Sequence, residues 1–389
     1  MRFDFDTVTD RRNTDSLKWK VHENELPMWV ADMDLRTAPA ITDAIIRRAE
    51  HGIFGYSVIP DEWYSAYIRW WEERHHVTFA RQELLFSSGV IPSVSCCINA
   101  LTDPSDSVII LSPEYYVFYK LINNSGRKVL DHPLKYHNGR YSIDFDLLER
   151  DMSDRSAKLM IFSNPHNPIG LIWNAETLSA IGELAYKYGV TVVSDEIHCD
   201  LTDPGHEYVS YYAASERCAE NGIICLSPTK TFNIAGIKSS AAVVRDKKLR
   251  SKINRALLLG NASDPNSFAV QAAISAFEHG GEWLSELREY LYINKMTVSA
   301  YLEKNIPGIK LIPSDATYLL WLDCTALGMG SKELSEHIRS KTGLFLTNGE
   351  PFGGDGFLRM NIACPRSLLT DGLERLKKAV DMITEDSDS

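Results

Sequence analysis

The chain has 389 residues, 44% of them hydrophobic and 24% charged, enough apolar side chain for a sizeable core, which excludes a small single module and a globally disordered polymer. Its 41 Lys and Arg stand against 52 Asp and Glu, a formal net charge of −11. Nucleic-acid backbones and anionic membranes repel such a chain, leaving small molecules and other subunits as the expected partners.

The start, Met-Arg-Phe-Asp-Phe-Asp, carries acids where a secretory signal needs an apolar core, and the longest aliphatic runs, such as Val108 to Leu111, are too short to span a bilayer. The expectation is a soluble, cytoplasmic protein. Its seven cysteines form no C-x-x-C spacing and are expected to be reduced, buried small hydrophobes.

Asp61 to His76 reads as a helix, with Tyr64, Tyr67, Ile68 and Trp71 at i, i+3, i+4 and i+7 on one face. From about residue 85 to 245, short β-rich runs alternate with helical stretches, the pattern of βαβ units around a mostly parallel sheet. The runs are Ser107 to Leu111, Lys158 to Phe162, Val190 to Ser194, Ile223 to Leu226 and Ser239 to Val244. Between the second and third, Asn174 can cap a crossover helix whose Leu178, Ile181, Ala185 and Tyr188 share a face and which Gly189 should stop. After about residue 282, helical segments alternate with Tyr318 to Leu322 and Leu344 to Thr347, and Gly349 to Gly356 carries four glycines, a second and smaller α+β unit. The acidic end, Glu385 to Ser389, is expected to fray.

Ligands of an α/β sheet bind beyond the carboxyl ends of its strands, and the residues that follow each run are rich in reactive groups. They are Ser112-Pro113-Glu114-Tyr115-Tyr116, Ser163-Asn164-Pro165-His166-Asn167-Pro168, Asp195-Glu196-Ile197-His198 and Ser227-Pro228-Thr229-Lys230-Thr231. By position Lys230 is either a surface lysine at a strand end or an amine that forms a Schiff base with a carbonyl cofactor. Asp195 is a turn carboxylate or the partner that keeps a pyridine nitrogen protonated. His198 is a core histidine or reaches the same ring, and Asn164 is a turn residue or a donor to a phenolic oxygen. Tyr115 is a core ring or stacks on a planar cofactor. Ser88-Gly89-Val90-Ile91 before a helix, and the Ser227 hydroxyl, could face a phosphate. Arg359 is a salt-bridged strand arginine or a fork for a carboxylate. Together these groups suit one phosphorylated pyridine aldehyde and one amino acid.

The motifs Ser-Asn-Pro-His-Asn-Pro-Ile-Gly (163–170), Ser-Asp-Glu-Ile-His (194–198), Ser-Pro-Thr-Lys-Thr-Phe-Asn-Ile-Ala-Gly (227–236) and Phe-Leu-Arg-Met-Asn-Ile-Ala (357–363) resemble those of the fold-type-I pyridoxal-phosphate (PLP) enzymes, the aspartate aminotransferase superfamily. Order and separation fit: 31 residues from Asn164 to Asp195, 35 on to Lys230 and 129 on to Arg359. Trp29-Val30-Ala31-Asp32-Met33-Asp34 and Gly55-Tyr56-Ser57 resemble most closely the aminotransferase-like cystathionine β-lyases, or cysteine-S-conjugate C–S lyases. The resemblance implies an α/β PLP-dependent transferase fold, with a large PLP-binding domain over 49–281, a small α+β domain over 282–389 and an N-terminal segment, 1–48, joining the small domain.

It further implies that Lys230 holds the cofactor, Asp195 pairs with its ring nitrogen, Asn164 and His198 approach its ring oxygen, and Tyr115 stacks on it. Val90, Ile91, Ser227 and Lys238 would hold the phosphate, with Tyr56 reaching it from the other subunit of a homodimer. Arg359, Asn164 and Ala31 would meet the substrate. Many relatives have Tyr where His198 stands and Arg where Lys238 stands, and a lysine cannot reproduce a bidentate phosphate clamp. The implied reaction is α,β-elimination: Lys230 takes the Cα proton and a β-thiolate leaves, giving a thiol, pyruvate and ammonia. The alternatives are an aminotransferase of class I/II, which uses the same residues, and a PLP-binding regulatory protein with incidental lyase activity.

Overall fold

The computed structural model describes residues 2–387. Its centre is a seven-stranded sheet in the order Leu84–Ser87, Ser240–Val243, Gly222–Leu226, Thr191–Asp195, Ala157–Ser163, Ser107–Ser112 and Lys128–Pro133. Only Ser240–Val243 runs against its neighbours; the other four adjacent pairs are parallel. The five predicted runs are the five inner strands, and every residue of Ser107–Ser112 and Gly222–Leu226 is buried, as strands covered on both faces require. The two edge strands have no counterpart in the sequence reading. Lys128–Pro133 is exposed or half-buried except at the buried His132 and ends in proline, so it offers no continuous apolar run.

Asn174 accepts from the Thr177 amide at 2.8 Å and opens the helix Ala175–Tyr188, which closes on Gly189 at φ 70°. Leu178, Ile181 and Ala185 are buried there as predicted, while Tyr188 is half-buried. The helix Asp61–His75 is rotated from the predicted face. It buries Trp63, Ala66, Tyr67, Trp70 and Trp71, because it packs on the helix Ala269–His279, where Phe277 meets the rings of Tyr67, Trp70 and Trp71 at 4.6, 5.2 and 5.4 Å. Tyr64 instead lies under the Arg81 guanidinium, 4.1 Å from its centroid.

Beyond the long helix Gly281–Asn305, a four-stranded antiparallel sheet runs Lys310–Leu311, Leu319–Asp323, Phe357–Asn361, Thr347–Asn348. The predicted run Leu344 to Thr347 is broken in two. Leu344–Phe345 pairs in parallel with Leu26–Pro27 of the N-terminal segment, and Thr347–Asn348 joins the small sheet. The helix Arg366–Ser387 extends through part of the end expected to fray; residues 388 and 389 lie outside the described residues. All seven cysteines are unpaired and buried. Among the described residues no helix is long and apolar enough to cross a membrane.

Candidate active site

The site forms where the inner strands end. Asp195 is the last residue of Thr191–Asp195, and its Oδ1 accepts from the Ile197 amide at 3.1 Å, which tightens the turn and carries His198 toward the same edge. One strand over, Ser227 caps the short helix Pro228–Thr231: its Oγ accepts from the Thr229 amide at 3.1 Å and donates to the Ser239 carbonyl at 2.7 Å. That cap presents Lys230, whose Nζ donates to the Ala31 carbonyl. On the other side, the fully buried Glu114 accepts from the amides of Tyr115 and Ser163, at 2.8 and 3.0 Å, and from the Ser163 hydroxyl. It thereby ties the turn bearing Tyr115 to the neighbouring strand end.

Between these elements lies a cavity of about 170 Å³. Of the predicted site residues, Lys230, Asp195, His198, Tyr115, Val90, Ile91, Lys238 and Ala31 line it. Its charges are poorly compensated. Burial pushes the Lys230 amine down to about 8, with Asp32 and Asp195 opposing the shift and Arg359 and Lys238 adding to it. Burial likewise pushes the Asp195 carboxyl up to about 7. His198 is driven down to about 3 by burial and by the cations Lys230 and Arg359, so its ring is neutral, and its buried Nδ1 has no partner. A larger cavity, about 580 Å³, opens between the helices Val90–Leu101 and Lys247–Leu259, but its ionisable lining residues are only Lys252, Arg255 and Cys96.

Four predicted residues do not reach the cavity wall. Asn164 is buried, but its amide donates to the Val209 carbonyl at 2.8 Å and accepts from the Trp173 amide at 3.4 Å. The Ser227 hydroxyl is spent on its cap, and Thr229 faces the cavity in its place. Tyr56 is fully exposed on a stretch, 52–60, with no helix or strand. Arg359 lies one layer behind, donating to Asn167 Oδ1 at 3.1 Å and to the Trp29 carbonyl at 3.0 Å, with its Nε unpartnered.

Sequence reasoning passed over Asn167, Thr229, Ser163 and Ser239, which line the wall, although the first three stand inside the quoted motifs. It also passed over Tyr318, whose hydroxyl donates to the Ala31 carbonyl at 3.1 Å. As one aromatic in an apolar run, Tyr318 gave no signal.

The residues present fit a phosphorylated pyridine aldehyde. A helix begins at Val90 with no side-chain cap, so its first N–H groups are free for an anion beside Lys238. A desolvated amine, a buried carboxyl with no salt bridge and an imidazole nitrogen without a partner line the rest of the wall.

Fold and site together define a member of the aminotransferase class I and II family, to which the chain belongs: the family match spans residues 25–376. Within it, the chain is 40% identical over 384 residues to cystathionine beta-lyase PatB of Bacillus subtilis, covering 97% of this chain and 99% of that protein. It is 30% identical over 388 residues to the protein MalY of Escherichia coli, covering 97% and 99%. Among solved structures, cystalysin from Treponema denticola, which contains a pyridoxal 5'-phosphate cofactor, superposes with a TM-score of 0.95 at 32% identity, covering 98% of this chain and all of that one.

Proposed function

We propose that this chain is a PLP-dependent carbon–sulfur β-lyase that cleaves cystathionine or another cysteine S-conjugate to a thiol, pyruvate and ammonia. The carrying observation is the convergence of the desolvated Lys230 amine, the Asp195 carboxyl and the unpartnered His198 nitrogen on one cavity, in a chain 40% identical to a cystathionine beta-lyase. PLP, when bound, supplies an aldehyde that an amine can join and a ring that takes up the electron pair left at the substrate Cα.

The chain's residues do the rest. Lys230 holds the cofactor through its amine, and Asp195, costly to ionise alone, gains its counter-charge from the ring N–H. The Tyr115 ring covers one face; Lys238 and the amides of Val90 and Ile91 take the phosphate. His198 and Asn164 serve the ring oxygen, Asn164 through its side-chain amide, whose second N–H the Val209 carbonyl leaves unused, and Ser227 acts through the cap that orients Lys230. Arg359 and the strap at Ala31 receive the substrate carboxylate end. When it is not engaged with the cofactor, the Lys230 amine, which burial makes hold its proton less tightly than usual, can take the Cα proton.

The protein acts as a homodimer, a reading supported by the exposed apolar side chains Ile53, Phe54, Tyr56, Val58, Leu258 and Leu259, with Tyr56 serving the partner's phosphate site. The unpaired cysteines suit a reducing cytoplasm. The test supplies cystathionine with no 2-oxo acid and assays pyruvate and free thiol. Equal amounts of both support the lyase; product that depends on an added 2-oxo acid overturns it for the aminotransferase the family name describes. Absence of any product overturns both in favour of a PLP-binding regulatory protein.

A further inference from the structure

The stretch from Trp29 to Thr37 crosses the site without regular secondary structure, and side chains from both sides fasten it. Asn233, three residues after Lys230, accepts from the Met33 amide at 2.9 Å and donates to the carbonyls of Met33 and Leu35 at 3.0 and 2.8 Å. Asn361, two residues after Arg359, donates to the carbonyls of Val30 and Asp32 at 2.5 and 2.6 Å, and its backbone amide to that of Met28 at 2.9 Å. Thr37 adds a bond to the Phe232 carbonyl at 2.6 Å. Between Val30 and Asp32, the two residues Asn361 holds, and next to the stretch Asn233 holds, the Ala31 carbonyl turns inward and accepts from two donors, Lys230 Nζ and the Tyr318 hydroxyl.

We propose that Asn233 and Asn361 are positioning residues that hold this strap so that the Ala31 carbonyl receives the Lys230 amine, and that this contact sets how tightly Lys230 keeps its proton. A carbonyl acceptor binds an ammonium more strongly than a neutral amine, so a firmly held strap favours the protonated form. The charged groups facing Lys230 are Asp32 on the strap and Asp195, which favour the ammonium, and Arg359 and Lys238, which disfavour it. His198 faces it as a neutral ring. Tyr318 acts in the opposite sense to the clamps, because it draws on the same carbonyl oxygen. This inference rests on Lys230 being the reacting amine.

The two roles predict shifts of opposite sign, which general loosening of the fold would not produce. Lys230 in cofactor-free protein is labelled with an amine-acylating reagent across a pH series, and the modified peptide is quantified by mass spectrometry. Asn233→Gly suits the clamp because residue 233 sits at φ 53°, which glycine adopts without strain. Its labelling midpoint should fall by about half a pH unit, a roughly threefold loss of proton affinity, and that of Tyr318→Phe should rise by a similar amount. Unshifted midpoints in both variants, or shifts in the same direction, overturn the proposal. Should Asn233→Gly not fold, the direction of Tyr318→Phe decides alone: a rise supports the proposal and an unchanged or lower midpoint overturns it. Hydride reduction of the cofactor-loaded wild type separately tests the site. Failure to trap an adduct on Lys230 sinks the PLP assignment, whereas a trapped adduct with unshifted titrations sinks only the strap.

Discussion

Replacing Arg359 with methionine should separate what this residue does for the substrate from what it does for the fold. Arg359 is 3% exposed, and the two protein acceptors of its guanidinium, Asn167 Oδ1 and the Trp29 carbonyl, are both neutral. Burial lowers its proton affinity; the groups that oppose this are the hydroxyls of Tyr115, Tyr116 and Tyr318, not carboxylates. A buried cation without an anion costs the free protein several kcal/mol of desolvation, which two hydrogen bonds to neutral acceptors only partly offset. Methionine fills similar space beside Phe352, whose ring lies 4.9 Å from the guanidinium carbon, and brings no charge. The substitution should therefore leave thermal stability unchanged or slightly raised, within about 1 kcal/mol.

Substrate binding should behave otherwise. Two charge-assisted bonds to an α-carboxylate are worth about 1.5–3 kcal/mol each. Their loss should raise the barrier read from kcat/KM by about 3–6 kcal/mol, roughly a hundredfold to ten-thousandfold or more, mostly through KM. Steady-state kinetics with cystathionine and a thermal melt of the same preparation measure both sides. A variant that loses less than about tenfold in kcat/KM, or that melts as though several kcal/mol were lost, would show Arg359 to be a structural residue and refute the reasoning.

Three further outcomes follow from the same geometry. Asp195 and Glu196 are each pushed by burial up to about 7, above their unfolded values of 3.8 and 4.5; the stability they contribute is complete below the unfolded values and is lost as pH rises through 7. His198, held down to about 3, and Lys230, held down to about 8 from 10.5, contribute in the opposite direction. The first contribution is nearly complete by pH 6.5 and the second only begins below pH 8, so both together offset less than the two carboxyls lose. Cofactor-free protein should therefore lose about 1 kcal/mol between pH 6.5 and 8; a urea midpoint that rises over that interval contradicts it. Gly280→Ala would place a Cβ 2.3 Å from Phe232 Cε1 and 2.4 Å from the Ala276 carbonyl oxygen. It should cost about 2–3 kcal/mol by overpacking, seen as a lower melting temperature, and an unchanged melt would mean that Phe232 has room to move. Asn174→Ala removes the cap bond to Thr177 and should cost about 1 kcal/mol with activity intact; a loss of turnover without loss of stability would tie that helix to the site.

The reactive residues could be found in the chain because each follows an apolar run, and a parallel sheet aligns the carboxyl ends of its strands whatever the loops do. That is why Lys230, Asp195, His198 and Tyr115, far apart in sequence, were expected on one edge and stand around one cavity. Periodicity together with Asn174 and Gly189 pointed to the helix found at Ala175–Tyr188 and to its cap and stop, because those signals are local. The face buried by Asp61–His75 was not local: with three tryptophans and two tyrosines in fifteen residues, the packing of Phe277 selected which of them turned inward.

Tertiary structure also decided what faces the ligand. Asn164 and Ser227 belong to the motifs, yet the backbone groups of Val209, Trp173 and Ser239 claim their polar atoms, because a buried amide or hydroxyl takes whatever partner lies within reach. The Ala31 carbonyl meets Lys230 across 199 residues of chain and the Tyr318 hydroxyl across 287. The sequence by itself determined which functional groups would gather, through the order of its strands. Their partners, and hence the proton affinities that make those groups reactive, were decided by contacts between remote segments that no local pattern encodes.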